Sequence, residues 1–190
     1  MIEATQIRVI MMEVYMKTLV IVTHPHMEDS VINKRWVKEL EQYPDQFTIH
    51  ELYKVYPDEK INVEQEQALV EAHDHIVFQF PLYWFNSPPL LKKWLDEVLL
   101  YGWAYGSTGK VFTDRKVAIA VTVGVSEADY QPEGKYRYTL EQILLPFEMT
   151  FDYIHASYQG FTAFYSAEHE STPVRIEESI SGYIDFLQNL

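Results

Sequence analysis

Thr18-Leu19-Val20-Ile21-Val22 leads without a break into Thr23-His24-Pro25-His26-Met27-Glu28-Asp29-Ser30-Val31-Ile32-Asn33. The first run is β-branched and continuously apolar from Leu19 to Val22, not alternating. That pattern marks a strand covered on both faces, as in a parallel sheet. The loop behind it is polar and opens a helix with Ile32, Trp36, Leu40 and Tyr43 on one stripe, ending before Pro44. A buried strand that passes through a polar loop into an amphipathic helix is the opening of a strand–helix–strand unit.

The alternation continues to the C-terminus. Phe47 to Tyr53 reads as a second strand, Val63 to Ala72 as a polar, weakly amphipathic helix, and His75 to Phe80 as a third strand. Ser87 is placed to cap the next helix, with Pro88 at its first position and Leu91, Trp94, Leu95, Val98 and Leu99 on its apolar face. Val117 to Val121 is the fourth strand. Leu140, Ile143, Leu144, Phe147 and Phe151 mark a helix that Pro146 is expected to kink or shorten. A fifth strand lies within Tyr158 to Tyr165, and Ile176, Ile180, Tyr183, Ile184 and Leu187 stripe the last helix. Five strands separated by helices predict an α/β fold, a doubly wound five-stranded parallel sheet of order 2-1-3-4-5 with helices on both faces.

Composition sets the outer bounds. The 190 residues fit one domain with a sizeable core, and 47% hydrophobic with 15% aromatic content predicts a folded chain. Without cysteine there is no disulfide, thiol catalysis or Cys-ligated zinc, which fits a reducing cytoplasm. No apolar run approaches the ~18 residues of a membrane helix. A net charge of −13 argues against nucleic acid and anionic membranes as partners, so an anionic ligand must be held by local dipoles and hydrogen bonds. Met16-Lys17-Thr18 opens the first strand, so residues 16–190 are expected to form a single domain. Residues 1–15 read as an extension or loose arm, with an extra edge element as the alternative. Ile7 to Met12, interrupted by Arg8 and flanked by Glu3 and Glu13, does not read as a signal peptide.

In a doubly wound sheet, ligands bind beyond the carboxyl ends of the strands, near the switch between strands one and three. Two loops fall there. In the first, Ser30 is a plausible N-cap, so the amides of Val31, Ile32 and Asn33 would face the loop with the helix dipole behind them. The Ser30 hydroxyl, the Asn33 amide and the His24 imidazole could complete a phosphate cradle, with Lys34 and Arg35 nearby. The second loop, Phe80-Pro81-Leu82-Tyr83-Trp84-Phe85-Asn86-Ser87-Pro88-Pro89, is a proline-stiffened aromatic shelf for a planar ring. A phosphate seat beside a ring shelf points to a mononucleotide such as FMN. A third loop, Thr122-Val123-Gly124-Val125-Ser126, closes the ring pocket from the other side, and Tyr101 to Gly109 forms a rim over it. No G-x-G-x-x-G or G-x-x-x-x-G-K-[ST] is present, which leaves a Rossmann dinucleotide site and a P-loop unsupported. His73-Asp74-His75 lacks further ligands for a metal, and Glu64, Glu66 and Glu71 read as a solvated helix face.

With these segments in place, the chain resembles the flavodoxin-like NAD(P)H:quinone oxidoreductases. The likeness is to the bacterial branch of general stress proteins and ancillary subunits of glutathione-gated potassium efflux systems. It runs from about Lys17 to the C-terminus and is carried by His24-Pro25, Ser30-Val31-Ile32-Asn33, Phe80-Pro81-Leu82-Tyr83-Trp84 through Pro88 to Trp94, and Gly102-Trp103-Ala104-Tyr105-Gly106.

The resemblance implies noncovalent FMN (FAD in the animal relatives), NAD(P)H as hydride donor, a quinone-like acceptor and a homodimer with sites at the subunit interface. Through it, His24 and Ser30 to Asn33 would hold the flavin phosphate and ribityl chain. Leu82, Tyr83, Trp84 and Phe85 would hold the ring, and Thr122, Val123, Gly124 and Val125 its other edge. The family's usual Thr-Thr-Gly-Gly is Thr-Val-Gly-Val here, so Val123 and Val125 are expected to narrow the pocket. Tyr130 and Tyr136 stand where the animal enzymes use a tyrosine and a histidine to stabilise charge on the reduced flavin. The alternatives are an FMN-bearing regulatory subunit docked on a membrane transporter and a flavodoxin-type electron carrier. The aromatic loop and the Trp103 rim do not fit the carrier.

Overall fold

The computed structural model describes residues 16–190; the extension expected over residues 1–15 lies outside them. In chain order the elements are β1 (Thr18–Val22), α1 (Ile32–Leu40), β2 (Phe47–Glu51), α2 (Leu52–Val55), α3 (Val63–Glu71), β3 (His75–Pro81), α4 (Pro89–Val98), β4 (Lys116–Thr122), α5 (Leu140–Tyr153), β5 (Ser157–Phe164) and α6 (Pro173–Gln188). Short 3-10 turns occupy Met27–Asp29 and Glu127–Tyr130. All neighbouring strands pair in parallel, in the order β2-β1-β3-β4-β5. This is the doubly wound architecture expected from the alternation.

Alternate residues of each strand feed two cores. Leu19, Ile21, Ile76, Phe78, Phe80, Val117, Ile119 and Val121 pack under α3, α4 and α5. Val20, Val22, Val77, Ala118 and Ala120 pack under α1 and α6. Trp36 of α1 stacks on Tyr183 of α6 at 4.4 Å and 9° between rings, which ties those two helices together. Among the described residues no helix is long and apolar enough to cross a membrane.

Several local expectations change. The second strand stops at Glu51, because fully buried Leu52 turns the chain into α2. Pro146 does not shorten its helix: α5 runs 14 residues from a Thr139/Gln142 capping box, and Pro146 lies exposed, where water can take the carbonyl its missing N–H leaves over. The solvated face expected of α3 fails at Glu66, which has 0% exposure. Its carboxylate accepts from Tyr56 Oη at 2.5 Å and Trp94 Nε1 at 2.7 Å, and lies 2.8 Å from His50 Nε2. His73 is tied to the Leu69 carbonyl and the Thr48 hydroxyl, and Asp74 accepts from the Lys17 amide. These groups serve the fold.

Candidate functional site

The helix-start loop is built differently from its sequence reading. Ser30 closes the 3-10 turn by donating its N–H to the Met27 carbonyl at 3.1 Å, and α1 begins at Ile32 with Val31 as the cap residue and no side-chain cap bond. The first-turn amides therefore lack a capping side chain, and no acidic residue stands in that turn. Lys34 and Arg35 are not free cations. Lys34 donates to Glu28 at 3.2 Å, and Arg35 forms a fork on Glu177 at 2.7 and 2.8 Å and also reaches Glu39. What remains to attract an anion is the backbone and the helix dipole.

Asn33 of the expected cradle and Thr122 of the expected ring edge are consumed internally. Asn33 is buried, its Nδ2 donates to the Thr122 hydroxyl at 3.0 Å, and its Oδ1 accepts from Gln79 Nε2 at 3.2 Å. Gln79 in turn accepts from the Tyr183 hydroxyl at 2.6 Å. Asn33 and Thr122 thus lock the end of β4 to the start of α1 instead of offering their side chains to a ligand. Ile32 is a core residue and Val31 is exposed, so only their amides face the question of a ligand. His24 accepts the His26 amide on Nδ1 at 3.1 Å. Burial, with the charge of His26, lowers its pKa against the opposing pull of Asp29. It lines a cavity of about 760 Å³ toward β2, with His26, Lys38, Glu51 and Tyr53, while its ring edge points at Tyr83, 6.3 Å between centroids.

The aromatic loop is a tight turn rather than a flat shelf. Tyr83 and Asn86 exchange backbone hydrogen bonds of 2.8 and 3.0 Å around Trp84 and Phe85, whose φ values are +49° and +61°. Positive φ at both central positions is the signature of a type I′ turn, normally filled by Asn and Gly. Two aromatics held there store strain of about 1–3 kcal/mol each, a cost that persists mainly at functional sites. Trp84 is 93% exposed, whereas Phe85 meets the Tyr136 ring edge-on at 5.1 Å. Ser87 does not cap α4. Extended Pro88 takes that position and the buried Ser87 hydroxyl has no partner.

A cavity of about 440 Å³ opens at this turn, lined by Leu82 to Phe85 on one side and by Gly124, Val125, Tyr130, Tyr136 and Glu168 on the other. It gathers residues from three separate loops at the carboxyl end of the sheet. The Tyr130 and Tyr136 rings pack 5.0 Å apart with 39° between their planes. Burial, helped by Tyr136, Asp129 and Glu168, pushes the Tyr130 hydroxyl up to about 12, so it stays protonated near neutrality and can donate. Val123 is a correction: it is fully buried in the core and cannot narrow the cavity, which leaves Val125 as the only one of the two valines on the wall. The expected rim is a second correction. Trp103 donates to Glu71 at 2.7 Å and Tyr105 packs on Tyr153 at 5.4 Å, so the 101–109 segment leans on α3 and α5 and does not line this cavity.

Gln79, Tyr183 and Glu168 escaped the sequence reading. Gln79 lies inside an otherwise apolar strand, the one available hint of a buried polar network, and Glu168 gives no local signal.

The family described as flavodoxin-like fold matches residues 16–187. The chain is similar to the uncharacterized NAD(P)H oxidoreductase YrkL of Bacillus subtilis, 43% identical over 91% of this chain and 98% of that one. It is similar to the glutathione-regulated potassium-efflux system ancillary protein KefG of Cronobacter sakazakii, 44% identical over 74% of this chain and 76% of that one. Among solved structures it is similar to general stress protein 14 of Treponema denticola in complex with FMN, with TM-score 0.87 and 47% identity over 91% of this chain and 98% of that one.

Proposed function

The chain belongs to the flavodoxin-like fold family, and from that premise we propose that it is an FMN-dependent NAD(P)H:quinone oxidoreductase working by two-electron, ping-pong transfer. The cavity at the aromatic turn carries the proposal, because it sets a largely aromatic slot near a helix whose first turn holds no acidic residue. The relatives agree: one is named an NAD(P)H oxidoreductase and another was crystallised with FMN.

The residues fit such a group. Two buried hydroxyls without protein partners, those of Thr23 and Ser87, fall in the two loops that would hold it. In this reading the amides of Val31, Ile32 and Asn33 hold the phosphate, and the backbone of Leu82 to Phe85 meets the polar edge of the ring. FMN, when bound, supplies the hydride chemistry. Gly124, Val125 and the two tyrosines then form the opposite wall, where nicotinamide and acceptor are held in turn at stacking distance. Tyr130 donates a hydrogen bond toward negative charge that develops in the slot, with Tyr136 packed against it as its support. A homodimer completes the proposal: Tyr101, Leu145, Met149 and Tyr153 leave an exposed apolar face for a second copy.

The test is spectroscopic. Purified protein loaded with FMN should bleach in one two-electron step on anaerobic addition of NADPH or NADH, and recover on adding a naphthoquinone. Initial rates against both substrates should give parallel reciprocal lines. Absence of turnover with every quinone tried overturns the enzymatic reading. A regulatory role beside a potassium-efflux transporter, which the likeness to KefG favours, would then stand in its place.

A further inference from the structure

The aromatic cavity has a single acidic side chain on its wall, Glu168. Its N–H donates to the Gly124 carbonyl at 3.1 Å. Its side chain folds over that glycine so closely that a Cβ at 124 would come within 2.6 Å of Oε1. Glycine at this position thus does more than admit a ligand to the backbone. It lets a carboxylate from the loop after β5 lie across the end of β4.

No cation pairs directly with that carboxylate among the described residues. Among the described residues, Glu168 has no Lys, Arg or His partner within ion-pair distance. Lys135 and Arg175 rest on aromatic rings and keep their charge. Lys135 lies over the Tyr136 ring at 5.3 Å, and Arg175 sits over the Phe164 ring at 4.6 Å with Glu170 at 3.6 Å. Asp129 is held by the Ser126 hydroxyl at 2.7 Å beside Tyr130, and adds a second negative charge just behind the wall. The rest of the lining is aromatic, aliphatic or phenolic. The slot is largely aromatic; two carboxylates, Glu168 and Asp129, stand at or just behind its wall against one ammonium, Lys135, in a chain of net charge −13.

We propose that Glu168 is a specificity-determining residue: it makes the slot accept neutral or cationic planar acceptors and turns away anionic rings of the same shape. This rests on the reading of the cavity as the acceptor site. An anionic ring entering it must shed water and also face a carboxylate held in no ion pair, whereas a cationic ring gains an attraction that offsets part of its desolvation. A neutral ring is insensitive to the charge, and the exposed Glu168 keeps its own hydration. Discrimination therefore comes from repulsion of the wrong ligand, not from added grip on the right one.

The experiment compares naphthoquinones sharing one ring and carrying no charge, a sulfonate or a quaternary ammonium group. Each is titrated into oxidised FMN-loaded protein with flavin fluorescence as the binding signal, then assayed for turnover. Wild type should bind the neutral ring about tenfold tighter than the sulfonate at low salt. Glu168→Gln should shrink that ratio about fivefold, and Glu168→Lys should invert the order of sulfonate and ammonium. Equal ratios in wild type and both variants, with the neutral quinone bound and reduced, overturn the charge filter and leave the enzymatic reading intact. Failure of all three rings to bind wild type overturns both.

Discussion

The Glu66 carboxylate, with no solvent exposure, lies 2.8 Å from His50 Nε2 at the junction of β2, α3 and α4. Burial by itself would raise the pKa of this acid. The hydrogen bond and charge of His50, with donation from Tyr56 and Trp94, outweigh burial and hold it below the ordinary value. A depressed folded pKa gives stability that is complete above the unfolded value and lost as pH falls through the folded one. The protein should therefore lose stability on acidification below pH about 4.3, the unfolded carboxyl range. Urea midpoints of wild type should drop between pH 5 and 3 more steeply than those of Glu66→Gln; parallel curves would refute the linkage. Glu66→Ala leaves three donors without their acceptor and should cost about 3–5 kcal/mol.

Asn33 and Gln79 form the polar bridge beneath the helix start, anchored by the Tyr183 hydroxyl. Asn33→Ala strands the buried amide of Gln79 and should cost about 1–3 kcal/mol in equilibrium unfolding. It also frees the first turn of α1 to shift, so retention of FMN through gel filtration should fall. Tyr183→Phe removes the far end of the bridge, with a comparable loss of stability but less effect on FMN. Equal FMN retention in both variants and wild type would show that the bridge does not position the amides.

The sheet and its strand order were readable because buried parallel strands announce themselves as unbroken apolar runs, and Leu19 to Val22 and Val117 to Val121 do so. Polar groups spent on one another could not be read that way. Asn33, Gln79, Thr122 and Tyr183 are distant in sequence and meet only after α1, β3, β4 and α6 have assembled. Glu66 looked solvated because its three partners come from β2, the residue after α2, and α4, and no helical periodicity reports them. The residues of the aromatic loop share one cavity wall, yet their turn type depends on φ values that no Trp-Phe pair foretells. Val123 and Val125 are two positions apart, but the chain leaves β4 after Thr122, ahead of both, so alternation no longer decides which one faces the cavity.

Trp84 occupies a left-handed position at φ +49° with 93% of its surface exposed. Trp84→Asn places there a residue that accepts this conformation, and sacrifices little packing. Thermal unfolding should shift upward, by an amount worth about 1 kcal/mol of relieved strain. If the indole contacts a second copy or the ring ligand, the same variant should weaken dimerisation or FMN affinity while the fold is stabilised. A destabilised variant would show that the turn is not strained.

Tyr130 tests the proton inventory of the slot. Its hydroxyl is pushed up to about 12, first by burial and then by Tyr136, Asp129 and Glu168. A raised folded pKa means the protonated form stabilises the fold below the unfolded value of about 10, a contribution lost only as pH rises through the folded value. Across pH 7 to 10 the residue should remain a donor, so hydride transfer should show no alkaline limb from it. Tyr130→Phe should lower kcat by about 10–100-fold at every pH in that range, with FMN affinity and melting temperature little changed, because one preorganised hydrogen bond to developing charge is removed. Stopped-flow bleaching by NADPH separates this outcome from a loss of acceptor binding. If wild type shows an alkaline limb near pH 10 that Tyr130→Phe abolishes, the phenol ionises within the working range and its role is that of a base.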